Sequence, residues 1–409
     1  VSSWEQYRSR FPVNVDIGKF ASVIDAEFII VIPSFNEPSL EHVLNSLAAA
    51  KQPNKKFAVI LVLNHGIDVS ENIKALHEQQ MAELNSLRSS LPYKLILANA
   101  FNIKSNKAGV GYARKYGMDL AAFLLSNGGN EERLIICLDA DCSVSNNYLV
   151  SIEKHSELKP LSVSFAFAHP FEHLPQKHKE GIIQYELFLR YYLIALQSTG
   201  FPYCAYTIGS AMGVSAQMYM KCGGMNQRKA GEDFYFLNKV LAQGQHLFIK
   251  DAYIIPSPRL SERVPFGTGR SMKRWMEDDK HPGISYSLAC FEQIKIIIDY
   301  FRENDFNPLQ EPKDRLMPVL LNYLVDAGLK QIVYQLQTQA KDLNSRRKRF
   351  FQWMDAFLIM KCLNLLYNAP GGQSSVLESL RQLHAEFRDL ENYQAEEMLY
   401  WLREKEKRG

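Results

Sequence analysis

Leu134-Ile135-Ile136-Cys137-Leu138-Asp139-Ala140-Asp141 is a run of five apolar residues that ends in two carboxylates one residue apart. A short uncharged run of this kind predicts a strand buried on both faces, with the acids standing where the chain leaves the core. In open α/β sheets ligands lie just outside the carboxyl ends of strands, so the pair falls where binding is usually placed. Oxygen ligands suit Mg²⁺ or Mn²⁺, and Mg²⁺ is often held by one or two carboxylates with substrate phosphates completing its shell. A polar turn whose side chains cap Ser143 to Asn147 accounts for the same tripeptide. Asp-x-Asp alone does not decide between them.

Working outward, Phe28 to Ile32, Phe57 to Leu63 and Tyr93 to Ala98 are further short apolar runs, partly β-branched. Segments of helical period separate them: Leu40 to Ala50, Val69 to Leu91 and Val110 to Leu125. Such alternation predicts βαβ units, a parallel sheet with helices on both faces and an α/β fold class for at least the first 150 residues. Gln176 to Gln197 predicts a long helix. From Ser285 onward helical segments dominate, over Tyr286 to Arg302, Lys313 to Leu336, Arg346 to Tyr367 and Val376 to Lys407, punctuated by Pro308, Pro312 and the Ala369-Pro370-Gly371-Gly372 turn.

A chain of 409 residues exceeds the usual single core. The expected organisation is a catalytic domain over 1–285 and a helical C-terminal region over 286–409. With 47 basic and 44 acidic residues the net charge is +3, too small to argue for nucleic acid. Six scattered cysteines, without C-x-x-C spacing, point to reduced thiols in a cytoplasmic setting and away from a zinc site. No window holds the eighteen or so apolar residues of a membrane span, and no cleavable signal is visible in the opening residues. The basic run Arg346-Arg347-Lys348-Arg349 fits peripheral contact at the inner face of a membrane; a solvated helix face fits it better.

Three more segments carry polar chemistry. Val31-Ile32-Pro33-Ser34-Phe35-Asn36-Glu37 passes from a strand to an acid, and Glu37 there suits hydrogen bonds from a base or ribose, or merely a helix start. Asn106-Lys107-Ala108-Gly109-Val110-Gly111-Tyr112-Ala113-Arg114 opens a helix whose glycines and cations suit a diphosphate, although the spacing is neither a Walker A nor a dinucleotide pattern. In Ala230-Gly231-Glu232-Asp233-Phe234 adjacent acids precede an apolar helical run; one could take a proton from a hydroxyl, and capping alone would need only one acid. Ile208-Gly209-Ser210-Ala211-Met212-Gly213-Val214 reads as a small-residue strand open to close approach.

Taken in order, Val31 to Glu37, Asp139-Ala140-Asp141, Gly209-Ser210-Ala211 and Gly231-Glu232-Asp233 resemble the inverting family 2 glycosyltransferases of the GT-A fold, over about residues 27 to 280. The resemblance implies a Rossmann-like mixed sheet flanked by helices and a metal-dependent hexosyl transfer from a nucleotide-diphosphate sugar, most simply a UDP-sugar. The acceptor would be a hydroxyl of a glycan or lipid-linked molecule in polysaccharide biosynthesis. It gives Asp139 and Asp141 the Mn²⁺ or Mg²⁺ ion and the donor diphosphate, Asp233 the role of base, and Glu232 help in acceptor binding. The family's acidic turn after strand two is replaced by Leu63-Asn64-His65-Gly66, where Asn64 retains hydrogen-bonding capacity. Its Gln-x-x-Arg-Trp motif survives in part as Ser271-Met272-Lys273-Arg274-Trp275.

The stretch Arg259 to Arg274 combines Gly hinges with cations, as expected of a loop closing over a diphosphate, with Arg263 and Arg270 stabilising the leaving group. His281 is a further candidate ligand. The expected nucleotide-sugar contacts are therefore Pro33, Phe35, Glu37, Asn64, Lys107, Arg114, Asp139, Arg263 and Arg270. Two other classes use the same features: a catalytically silent GT-A-fold binding or scaffold protein, and a sugar nucleotidyltransferase.

Overall fold

The computed structural model describes residues 2–13, 15–20, 25–228, 231–261, 267–278, 283–308, 312, 315–383 and 394–408. Contacts divide the chain into two units: residues 1–173, 206–270 and 403–409, and residues 174–205 and 271–402. Neither unit is one continuous segment, and the long helix beginning at Gln176 groups with the later helices.

The first unit is built on one eight-stranded mixed sheet, β1 (Phe28–Ser34), β2 (Phe57–Gly66), β3 (Lys94–Ile103), β4 (Leu134–Cys137), β5 (Ser143–Val144), β6 (Ser162–Phe167), β7 (Met212–Ser215) and β8 (His246–Ile255). Their order across the sheet is β3-β2-β1-β4-β7-β6-β8-β5. β3, β2, β1 and β4 run parallel; β7 is antiparallel to both neighbours, and β8 is again parallel to β6. This is the α/β mixed sheet flanked by helices that the sequence predicts. The Leu134 run pairs residue for residue with Phe28 to Val31, and every residue of β1, β2 and β4 is buried. Burial on both faces explains why these strands read as unbroken apolar runs.

Among the described residues as far as 278 the α-helices are α1 (Ser3–Arg10), α2 (Leu40–Ala49), α3 (Glu71–Leu87), α4 (Val110–Asn127), α5 (Tyr148–Ser156), α6 (Gln176–Ser198), α7 (Ala216–Lys221), α8 (Glu232–Leu241) and α9 (Thr268–Asp278). α4 is buried from Gly111 to Leu125 and lies close against the sheet at Gly117, which faces Val31 and Val62. A buried polar cluster fastens α1 to it. Asp119 accepts from the hydroxyls of Tyr7 and Tyr219 at 2.7 and 2.6 Å, and Lys115 donates to both Tyr7 and Asp119. Each member satisfies another, which is the condition for such a network to hold a core together.

The second unit is helical. The stretch expected as one helix over Lys313 to Leu336 is two, Pro318–Asp326 and Leu329–Thr338, divided at Gly328 with φ +98°. That over Arg346 to Tyr367 is likewise two, Leu343–Trp353 and Ala356–Tyr367, because the Asp355 side chain caps a new start by accepting from the Leu358 N–H. Two strands stand where none was expected, Ile284–Tyr286 antiparallel to Gln373–Ser375. Each has only three residues, too few to show a period. No helix among the described residues is long and apolar enough to cross a membrane.

A Cβ at position 117 would lie 2.4 Å from Val31 Cγ1 and 2.9 Å from Val62 Cγ2. Gly117→Ala is therefore expected to lower unfolding stability by about 1–3 kcal/mol through overpacking, against any gain in helix propensity. A urea denaturation curve at constant slope measures it.

Candidate active site at the carboxyl edge of the sheet

The sheet order brings the polar segments together. Leu138 N–H donates to Val31 O at 3.1 Å, extending the β1–β4 pairing by one residue, so Asp139 emerges beside the Ser34–Glu37 loop. Met212 pairs with Cys137, which puts Gly209–Ala211 at the same edge. β8, running the same way as β6, delivers Arg259 four residues after its end at Ile255. α4 contributes Arg114 and α8 begins with Glu232 and Asp233.

Arg114 is the hub. Its side chain is 2% exposed, yet Nη2 donates to Asp139 Oδ1 at 2.7 Å and Nη1 donates to Glu232 Oε1. Burial opposes its charge, but Glu232 and Asp139 outweigh that effect and hold it more firmly protonated than a free arginine. Gly209 makes room for it: a Cβ there would stand 2.8 Å from both terminal nitrogens. Each of those nitrogens is engaged by a carboxylate.

Glu232 is buried and Asp233 partly exposed in the first turn of α8, whose cap Gly231 takes the left-handed conformation. Burial raises both carboxyl pKa values, Arg114 opposing. Asp233 Oδ1 accepts from the Phe234 N–H at 2.8 Å. A partly exposed carboxylate raised towards neutrality is suited to accepting a proton.

The other acid of the pair has its own cation. Asp141 Oδ2 lies 2.7 Å from Arg259 Nη2, and the same guanidinium forks onto Glu37 through Nη1–Oε1 at 2.9 Å and Nη2–Oε2 at 2.5 Å. Burial, then Asp139, pushes Asp141 up to about 6 in spite of Arg259. Glu37 is itself placed from α3. Gln80 Nε2 donates to Glu37 O at 2.6 Å, and His77 Nε2 accepts the Asn36 N–H at 3.2 Å, with Asn36 at φ +47°. Burial, then His65, lowers the His77 pKa to about 4. The ring is therefore neutral near pH 7 and keeps the lone pair this contact requires.

Asn64 is buried and donates its amide to Ser34 O at 2.7 Å, tying the ends of β1 and β2. Pro33 is buried in β1; Phe35 is partly exposed and meets His77 edge-on. Lys107 is exposed before α4, and Arg270 is partly exposed in the first turn of α9. Arg263 and His281 lie outside the described residues.

Arg259, His77 and Gln80 are the site residues that sequence reading overlooks. A signal for the last two exists, since His77, Gln80 and Leu84 form the buried stripe of α3, and two polar residues on such a stripe require partners. Arg259 opens the cationic stretch already singled out, but nothing in that stretch ranks it above Arg263 and Arg270.

Among the described residues no three His, Cys, Asp or Glu side chains stand together as a ready metal cage. Asp139 and Asp141 nevertheless fit a divalent ion of the Mg²⁺ or Mn²⁺ type, which needs one or two carboxylates when substrate phosphates supply the rest. Their side chains are 38% and 27% exposed, open enough to take one.

No family model matches the chain, and no curated protein matches it. Solved structures resemble it weakly. Staphylococcus aureus TarS 1–349 in complex with UDP-GlcNAc aligns at 16% identity over 80% of this chain and 91% of its own, TM-score 0.41. A Pyrobaculum calidifontis mannosyltransferase in complex with GDP-Man and Mn²⁺ aligns at 12% identity over 98% and 91%, TM-score 0.37. GalNAc-T7 with UDP, GalNAc and Mn²⁺ aligns at 13% identity over 80% and 56%, TM-score 0.39.

Two measurements probe this geometry. Arg114→Met leaves Glu232 and Asp139 without their cation and is expected to cost about 3–5 kcal/mol of stability, the scale for breaking a buried pair from one side. His77 takes up a proton near 6.5 when unfolded but only near 4 when folded. Its contribution is complete above pH 6.5 and is lost as pH falls towards 4. Between pH 7.5 and pH 5 it should account for about 2 kcal/mol of lost stability, a slope that His77→Gln removes in urea unfolding at the two pH values.

Proposed function

We propose that this chain is an inverting, metal-dependent glycosyltransferase that moves a sugar from a nucleotide-diphosphate donor, a UDP-sugar in the simplest case, to a hydroxyl of a glycan or lipid-linked acceptor. One observation carries the reading. Five carboxylates, Glu37, Asp139, Asp141, Glu232 and Asp233, gather at the carboxyl edge of the sheet around two guanidinium groups, those of Arg114 and Arg259. Fully ionised, the cluster carries a formal excess of three negative charges. A donor diphosphate would add more, so the site calls for a divalent cation to receive it.

Asp139 and Asp141 are the residues that would hold that cation. When bound, it offsets charge developing on the leaving diphosphate oxygen. Arg114 fixes Asp139 on one side and Glu232 on the other, which sets the spacing between the donor end and the base end of the site. Asp233, partly exposed and raised towards neutrality by burial, takes the proton of the acceptor hydroxyl at its carboxylate as that oxygen attacks the anomeric carbon. Attack from the face opposite the leaving group inverts that carbon. Glu232 is spent on Arg114, so its part is to position Asp233 and the acceptor. Glu37, with Phe35 and Lys107 nearby in sequence or at the same edge, lines the nucleotide side.

Asp233→Asn tests the reading. Transfer is expected to fall by about 10²–10⁴-fold, the usual contribution of a general base, while donor binding measured by calorimetry stays within a few-fold of wild type. Loss of donor affinity with transfer retained at saturating donor would remove Asp233 from the role of base.

A further inference from the structure

Arg114 and Arg259 occupy equivalent electrostatic positions on the two acids of the Asp139–Asp141 pair, but they are built differently. Arg114 is sealed in the core, held by two acids and walled by Gly209. Arg259 is 30% exposed and sits on a segment after β8 outside any helix or strand. Its fork grips Glu37 with both terminal nitrogens, whereas Asp141 receives only Nη2, which is shared with Glu37. Its Nε is buried and finds no hydrogen-bond partner among the described residues. The Asp141 contact can therefore break while the bidentate Glu37 pair keeps the side chain in the site.

We infer that Arg259 is the built-in counter-ion of Asp141, standing where a divalent cation would otherwise lie, and that its transfer from Asp141 to an incoming diphosphate sets how tightly the site takes the metal. This rests on the proposed metal site at Asp139 and Asp141. A guanidinium 2.7 Å from Asp141 Oδ2 and a divalent ion compete for the same oxygen and repel one another. In the absence of nucleotide the cation must displace Arg259, so binding is weak. Once a diphosphate is present, the guanidinium acquires a second anionic partner of the kind its planar fork suits. It remains anchored by Glu37 within reach. Glu37 in turn is held by Gln80 from α3 through its carbonyl and does not depend on Arg259 for its backbone position.

The test is Mn²⁺ binding to the full chain without nucleotide, followed by electron paramagnetic resonance of the free ion. Thermal melts check that each variant is folded. Arg259→Gln removes the guanidinium from Asp141 and is expected to bind Mn²⁺ at least about tenfold more tightly than wild type, a small part of the charge interaction at this separation. Arg259→Lys keeps the charge but reaches one acid at a time, so its affinity should fall between the two; it carries the test if the glutamine variant does not fold. Affinity equal to or weaker than wild type in the folded variants would overturn the role of Arg259. Mn²⁺ binding that Asp141→Asn leaves unchanged would instead overturn the metal site, and the inference with it.

Discussion

The arrangement at the carboxyl edge depends on a charge that the core would otherwise reject. Arg114 is a fully buried guanidinium, tolerable only because Asp139 comes to it from the end of β4 and Glu232 from the start of α8. These two acids are far apart in sequence, and the arginine of α4 pairs with both. The pair of ion pairs converts a sheet edge and a separate helix into one site of defined spacing. Asp233, next to Glu232, inherits its position from the same contact.

Around this fixed half lies a second half that is tied more lightly. Arg259 joins Asp141 to Glu37, and α3 holds the Glu37 loop through His77 and Gln80. The buried side presents Asp233 and Asp139; the more exposed side presents Asp141 and Arg259. The proposed transfer, which admits a charged donor and releases a charged product, needs some groups fixed and others free to exchange. Burial separates the two roles here, with Arg114 at 2% and Arg259 at 30% exposure.

Much of this was legible in the sequence where local pattern and final environment agree. The runs at Phe28, Phe57 and Leu134 announce strands because burial on both faces leaves no polar position, and the Asp139–Asp141 and Glu232–Asp233 pairs stand out because acids directly beside such runs need a reason. β6 and β8 do not stand out in the sequence: Ser162, Ser164 and His246 interrupt their apolar character, and these residues satisfy one another only once the strands are paired. Arg114 stands out in the sequence as a site cation, but nothing in a single sequence tells which acids will face it. His77 and Asn64 show the same limit. Each is buried for a backbone contact with the loop after β1, or with the end of β1 itself, that pairing alone creates.

The central claim is that the acid cluster exists to receive a metal-bound donor diphosphate. It is tested most directly by following nucleoside diphosphate release from a panel of UDP- and GDP-sugars, with and without Mn²⁺, in wild type and in a variant carrying both Asp139→Asn and Asp141→Asn. The account predicts release from at least one donor that requires Mn²⁺ and is lost in the double variant. Release that persists undiminished in the double variant, or its absence with every donor in the presence of Mn²⁺, would contradict it.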